Sequence, residues 1–321
     1  MTTWLLTGGA GYIGAHVIRE LQASGRSVVV LDDLSSGVRE NVPADVPLIV
    51  ASVADRDNVS AALRKHGVDG VIHLAAKKAA GESVRLPLHY YEENVNGLQS
   101  LLAAMIDADV TNFVYSSSAA VYGTPQSNPI SEDSPLNPES PYGETKVIGE
   151  WLARGVGIAH GLSWVALRYF NVAGAGSDAL GDRSVNNLVP MVFRALSIGE
   201  RPEVFGDDYP TPDGSCIRDY IHVADLAAAH VAAAARCESG NRAESFNVGR
   251  GQGASVLEVM SMISEVIGTD INPEIVGRRV GDPPASFAAT AKIENEFGWS
   301  ATRDLRDMVA SAWSAWQSTH S

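Results

Sequence analysis

A short apolar run, Trp4 to Leu6, gives way to Thr7-Gly8-Gly9-Ala10-Gly11-Tyr12-Ile13-Gly14 and then to apolar positions at helical spacing through Leu21. That change of period predicts a strand, a glycine loop and a helix in that order. Ser27 to Leu31, rich in valine, reads as a second strand and ends in Asp32-Asp33. Further apolar runs at Leu48 to Val50, Gly70 to Leu74, Asn112 to Tyr115 and Leu162 to Arg168 alternate with helical patterns such as Asp57 to Lys65 and Asn96 to Ala108. Alternation of this kind predicts an α/β fold built on a doubly wound parallel sheet. Ligands of such sheets bind beyond the carboxyl ends of the strands, where Ser116-Ser117-Ser118, Tyr142 and Phe170-Asn171 fall.

Beyond Gly174 the texture changes to proline- and glycine-rich segments with short helices, including Asp207 to Gly214 and Gly277 to Pro284. Two domains are therefore expected, residues 1–172 and 173–321. The second is smaller and loop-rich, and about 220–250 rejoins the first, because Ala224 to Arg236 and Ser245 to Gly249 again read as α/β core. A length of 321 residues with 45% hydrophobic and 19% charged residues suits two well-buried cores. The net charge of −14 opposes general attraction to nucleic acid or an anionic membrane, so an anionic ligand needs local arginines. Cys216 and Cys237 make no disulfide framework and no metal motif. The N-terminus lacks a secretory pattern, and the longest apolar stretch, near Leu226 to Ala235, is interrupted by His230; a cytoplasmic protein is expected.

Three motifs carry the chemistry. Glycines 8, 11 and 14 allow a tight turn, close approach of a pyrophosphate to the backbone, and close packing of helix on strand. Asp32 follows near the offset of about 20 residues at which an acid meets an adenosine ribose, with Asp33 beside it. A carboxylate there repels a 2'-phosphate, and no arginine follows directly, so NAD is favoured over NADP. Finally, Ser140-Pro141-Tyr142-Gly143-Glu144-Thr145-Lys146 runs from a turn into a helix that presents Tyr142 and Lys146 on one face. A lysine cation one turn from a phenol favours the phenolate, the base needed when an alcohol is oxidised.

These motifs, with Ser116-Ser117-Ser118-Ala119-Ala120-Val121-Tyr122-Gly123, Gly81-Glu82-Ser83-Val84, Asn94-Val95-Asn96-Gly97, Arg168-Tyr169-Phe170-Asn171, Asn186-Asn187-Leu188, Phe205-Gly206-Asp207-Asp208-Tyr209 and Arg218-Asp219-Tyr220-Ile221-His222-Val223, give a chain that resembles the extended short-chain dehydrogenase/reductase family along nearly its whole length. Within it, the resemblance points to the branch that inverts C4 of a UDP-hexose with a retained NAD. It implies a Rossmann sheet with a nucleotide-sugar domain and commonly a homodimer. By resemblance Tyr142 takes the proton from the sugar O4, Lys146 holds the nicotinamide ribose and tunes the phenol, and Ser118 bonds the same oxygen. The cofactor would also meet Gly8, Gly11, Tyr12, Ile13, Gly14, Asp32, Asp33, Ser52, Val53, Leu74, Ala75, Ala76, Lys78, Asn94, Ser116 and Phe170. The substrate would meet Lys78, Ser118, Tyr142, Asn171, Asn187, Leu188, Phe205 and Ser286, with Arg218 and Arg279 for the diphosphate and Asp282 for the uridine ribose.

Two departures stand out. Ser52 replaces an aspartate that contacts adenine in the family, and Glu92-Glu93 makes the segment before Asn94 unusually acidic. Ser286 stands where some members carry a tyrosine, and a small residue there implies room for an N-acetyl group at C2. Nucleotide-sugar dehydratases need an Asp-Glu pair after the active-site hydroxyl, whereas Ala119-Ala120 follow Ser118. Decarboxylation of UDP-glucuronate would call for further cationic contacts that are not identified. A 4-epimerase of another UDP-sugar, such as UDP-xylose or a uronate, and an NAD-binding sensor without chemistry remain as alternatives. Dimerisation could use the apolar positions of Leu98 to Met105 and Val147 to Ala153, which would look the same if buried within one chain.

Overall fold

The structure is a computed structural model describing residues 1–279 and 281–320. Along the chain run β1 (Thr3–Thr7), α1 (Tyr12–Ala23), β2 (Ser27–Asp32), β3 (Leu48–Val50), α2 (Arg56–Lys65), β4 (Gly70–His73), α3 (Ala80–Arg85) and α4 (Pro87–Tyr90). A π-helical turn, Tyr91–Asn96, leads into α5 (Gly97–Asp107). Then come β5 (Asn112–Ser116), α6 (Pro141–His160), β6 (Ser163–Tyr169), β7 (Asn171–Ala173) and α7 (Leu188–Ser197). The remainder comprises β8 (Glu203–Phe205), β9 (Ile217–His222), α8 (Val223–Glu238), β10 (Ala243–Val248), β11 (Gly253–Ser255) and α9 (Val256–Ile267), followed by β12 (Glu274–Val276), β13 (Ala285–Ser286), α10 (Ala291–Phe297) and α11 (Leu305–His320).

Two compact units divide these elements: Met1–Gly123 with Leu136–Arg168 and Ala227–Phe246, and Thr124–Pro135 with Tyr169–Leu226 and Asn247–Ser321. The segment 124–135 in the second unit has no counterpart in the sequence reading. The main sheet runs β10-β6-β5-β4-β1-β2-β3. From β6 to β3 its pairings are parallel, and the winding reverses at β1, which lies between β4 and β2. That reversal opens a crevice beyond the carboxyl ends of the strands. The core on one face joins Leu5, Val29 and Leu31 to Phe113 and Tyr115, and to Leu98, Leu101, Leu102, Met105 and Ala153 from the helices. Of the apolar positions that sequence alone left open between a dimer seam and an internal face, Leu98, Leu101, Leu102, Met105, Val147 and Ala153 are internal, whereas Trp151 is exposed.

The second unit is organised around β9, which pairs with β7, β11 and β13. Register sets Asn171 opposite Tyr220 and Ser286 opposite Arg218. A second core under this sheet joins Val192, Phe193, Met260, Ile263, Met308 and Val309. The helix α9 starts with a capping box, Ser255 and Glu258 each bonding the other's backbone N–H, and stops at Gly268 in the left-handed region. Among the described residues no helix is long and apolar enough to cross a membrane.

Candidate active site

The glycine loop is built by sterics. Gly8 has φ +71°, and a Cβ there would lie 2.7 Å from the Ala75 backbone N. A Cβ on Gly14 would lie 2.5 Å from the Gly8 oxygen, so α1 can approach the turn only as glycine. Gly11, the N-cap of α1, offers no side-chain cap, and the first turn, which includes Tyr12, Ile13 and Gly14, holds no acid. The positive end of that helix is thus kept for an anion, as a pyrophosphate requires.

At the end of β2, buried Asp32 accepts hydrogen bonds from Ala10 N (2.9 Å) and Leu34 N (2.8 Å). Burial pushes its pKa up while those N–H groups pull it down. Asp33 is exposed and accepts from Ser35 N. Ser52 is half-buried, its hydroxyl accepting from Ala54 N (3.1 Å), and Val53 packs against Gly97. Leu74 N donates to Thr7 O, which seats Leu74, Ala75 and Ala76 directly after β4, with Lys78 exposed further along. A glycine turn, an uncapped helix end and a buried acid at the next strand end fit an adenine dinucleotide.

Asn94 is placed differently from a simple cofactor contact. Its carbonyl accepts from Lys77 N (2.8 Å), while its amide donates to Lys77 O (2.9 Å) and Thr145 Oγ1 (3.1 Å). Both amide donors are spent, and Thr145 in turn donates to Tyr142 O (2.7 Å). Asn94 thus ties the loop after β4 to the helix that carries the reactive groups.

That helix, α6, is specified locally. Ser140 Oγ accepts from Gly143 N, Pro141 occupies the first turn, and Gly161 ends the helix in the left-handed region. A Cβ on Gly149 would lie 2.2 Å from the Tyr115 hydroxyl, so α6 lies tight against β5. Tyr142 and Lys146 are both buried. Lys146 Nζ donates to Ser116 O (2.8 Å) and lies 5.1 Å from the Tyr115 ring centre and 5.8 Å from that of Tyr142. Ser118, whose Oγ accepts from Ala120 N, bonds the Tyr142 phenol.

The electrostatics correct one expectation. Burial raises the pKa of Tyr142, and the Ser118 bond only partly opposes it. Burial likewise draws Lys146 down to about 7, against the pull of Glu150. Desolvation disfavours both charges, and the amine is directed at a carbonyl, so the bare chain does not hold a preformed phenolate. A further positive charge near the phenol is needed to ionise it.

In the second unit a cavity of about 610 Å³ is lined by Asn171, Asn187, Leu188, Phe205, Arg218, Arg279 and Asp282, which gathers all but one of the candidates assigned to that unit's substrate contacts. Arg218 donates to Ile217 O and Pro283 O (2.8 Å each) and pairs with Asp282 at 3.2 Å. The Arg279 guanidinium stacks 3.7 Å from the Phe205 ring centre. Asn187 Nδ2 donates to Asp182 (2.6 Å). Ser286 is outside the cavity lining but pairs with Arg218 on β9. Phe170 is buried, and its N–H donates to Val248 O.

Sequence reasoning missed the buried groups behind the reactive trio. Glu150 forms a two-pronged ion pair with Arg168 and accepts from Ser117 Oγ (2.6 Å). Its place four residues after Lys146 was the available signal. His73, held down to about 3 by burial and by Lys146, bonds Thr7 Oγ1 (2.7 Å). Ser83 Oγ accepts from Tyr142 N (3.1 Å), and His230 bonds Ser116 Oγ (2.9 Å). Glu92, unexplained by sequence, is exposed and accepts from Asn96.

The chain is similar to known proteins over nearly its whole length. The chain is 43% identical over 318 residues to a UDP-glucose 4-epimerase of Azospirillum brasilense, covering 98% of this chain and 91% of that one. Its structure is similar to that of UDP-glucose-4-epimerase from Stenotrophomonas maltophila with bound NAD and formylated UDP-arabinopyranose, at TM-score 0.95 and 38% identity over 99% of both chains. A UDP-Glc/GlcNAc 4-epimerase from Campylobacter jejuni superimposes at TM-score 0.87 with 36% identity, covering 99% of this chain and 100% of that one. The model of the NAD dependent epimerase/dehydratase family matches residues 4–249, which take in the glycine turn, the Ser118–Tyr142–Lys146 trio and β9; the chain belongs to that family.

Proposed function

We propose that this protein is an NAD-dependent UDP-glucose 4-epimerase, interconverting UDP-galactose and UDP-glucose through a 4-keto sugar. The observation that carries this reading is the trio in which half-buried Ser118 bonds the buried Tyr142 phenol with buried Lys146 alongside, in the same unit as the glycine turn. NAD, when bound, supplies the hydride acceptor, the returning hydride and the positive charge that the phenol lacks. Tyr142 accepts the O4 proton as C4 becomes a ketone and gives it back when C4 is reduced from its other face. Ser118, whose hydroxyl donates toward the phenol oxygen, keeps that oxygen oriented and favours its ionised form. Gly8, Gly11 and Gly14 seat the pyrophosphate, and Asp32 takes the adenosine ribose. Ser52 is too short to replace a carboxylate at the base and contributes little.

In the second unit, Arg218 and Arg279 take the diphosphate and Asp282 the uridine ribose. Their hold keeps the ketone bound while the sugar turns. Ser286, in register with Arg218, leaves room for an N-acetyl group, a range consistent with similarity to the Campylobacter enzyme. A homodimer is built on the outer face of α6. There Trp151 (57% exposed), Gly155 and Ile158 (83% exposed) repeat at core-like spacing, and the glycine permits close approach of a second copy.

Purified protein incubated with UDP-galactose and no added NAD tests the reading. Conversion to UDP-glucose is expected; bound NAD with no turnover of any UDP-sugar would instead mark a sensor.

A further inference from the structure

Behind the trio lies a buried ion pair that no substrate or cofactor contact requires. Glu150, on the same face of α6 as Lys146, accepts from Arg168 at both carboxylate oxygens (2.9 and 2.6 Å). It also accepts from Ser117 Oγ on one side and Ser245 Oγ (3.2 Å) on the other. Arg168 donates onward to the Tyr122 hydroxyl (2.9 Å) and stacks over its ring. Ser117 and Tyr122 bracket Ser118, and Ser116 O is the acceptor for Lys146. The loop 116–122 is therefore pinned at three points by three charged groups: Ser116 by Lys146, Ser117 by Glu150, Tyr122 by Arg168.

Stability does not explain such a pair. Removing two ions from water costs about as much as their attraction returns, and apolar residues of similar volume generally hold a core as well. Its placement relative to Lys146 does offer an explanation. The ammonium is buried, bonds one carbonyl, and is faced by the Tyr142 and Tyr115 rings and by His73, none of which carries negative charge at neutral pH. His230 bonds the Ser116 hydroxyl. Among the described residues, Glu150 is the carboxylate that acts on Lys146 from one turn further along α6.

We propose that Glu150 and Arg168 are a positioning pair for the reaction: they fix the loop that presents Ser118, and Glu150 supplies the negative field that keeps Lys146 cationic beside Tyr142. The proposal rests on the epimerase reading for its consequence and on geometry for its substance. Neither residue touches the sugar; both act through Ser117, Tyr122 and Lys146.

The chain holds five lysines, so Lys146 can be followed by carbon NMR of protein labelled at lysine Cε, its signal identified by loss in Lys146→Met. In Glu150→Gln the ionisation midpoint of Lys146 is expected to fall by about one unit or more, and the high-pH limb of kcat to move in the same direction. Glu150→Asp, which keeps the charge, is expected to restore much of the midpoint. Because Glu150→Gln strands a buried guanidinium, it is also combined with Arg168→Met, which removes both charges together. A folded double variant with recovered thermal stability and a still-lowered midpoint supports the proposal. One in which Lys146 titrates as in the wild type, with kcat reduced equally at every pH, overturns it. The titration needs neither cofactor nor substrate, so it stands even if the wild type fails on every UDP-sugar, an outcome that would defeat only the epimerase reading.

Discussion

Single residues in this chain are read most safely where the constraint is local. Gly8 is demanded by its positive φ, Gly14 by contacts within one turn and helix, and the Tyr142–Lys146 spacing is a property of one helix, so sequence exposes them directly. Glu150 has the same periodicity, yet its partner Arg168 comes from β6, and nothing in the intervening residues announces the pair. The ionisation of Tyr142 is hidden from the sequence for a related reason. Spacing reveals a neighbouring amine but not how far burial drives both groups toward neutrality. Ser286 is testable at this scale. Ser286→Tyr is expected to cut turnover of UDP-N-acetylglucosamine by at least roughly tenfold relative to UDP-glucose, measured as the ratio of kcat/KM values. An unchanged ratio would remove Ser286 from the sugar pocket.

Among the elements, the strands and helices of the main sheet were legible because their hydrophobic periods differ, and the observed bounds lie close to those expected, β3 at Leu48–Val50 among them. The π-helical turn at Tyr91–Asn96 was not. Its apolar and polar positions pass for the start of α5, and the wider turn appears only where tertiary bonds hold it. Those bonds are specific: Tyr90 OH donates to Ala79 O, Tyr91 OH to Glu144, and Asn94 clasps Lys77 and Thr145. Asn94→Ala leaves the half-buried Lys77 backbone and the buried Thr145 hydroxyl short of partners. A loss of about 2 kcal/mol in denaturant unfolding is expected, with kcat reduced more than KM is raised. If stability and kcat both stay at wild-type values, the turn is not what aligns α6.

The molecule as a whole divides in a way the sequence suggested only in outline. Composition marks the loop-rich second half, but the assignment of 124–135 to the second unit depends on long-range bonds, such as Ile130 N to Phe287 O and Asn247 Nδ2 to Ile130 O. Apolar positions on α5 and α6 could not be divided between core and partner by periodicity, since both present the same spacing. Burial separates them: Leu98, Leu101, Met105 and Val147 face inward, while Trp151 and Ile158 face outward. The unaltered chain is expected to sediment as a dimer and Trp151→Glu combined with Ile158→Glu as a folded monomer; a dimer that persists in the double variant would place the seam elsewhere. The account as a whole depends on one phenol. Turnover of UDP-galactose and bound cofactor, measured on the same preparation of Tyr142→Phe, test it most directly. The predicted result is full NAD content with activity lowered by about a thousandfold, whereas near-normal turnover would contradict the account.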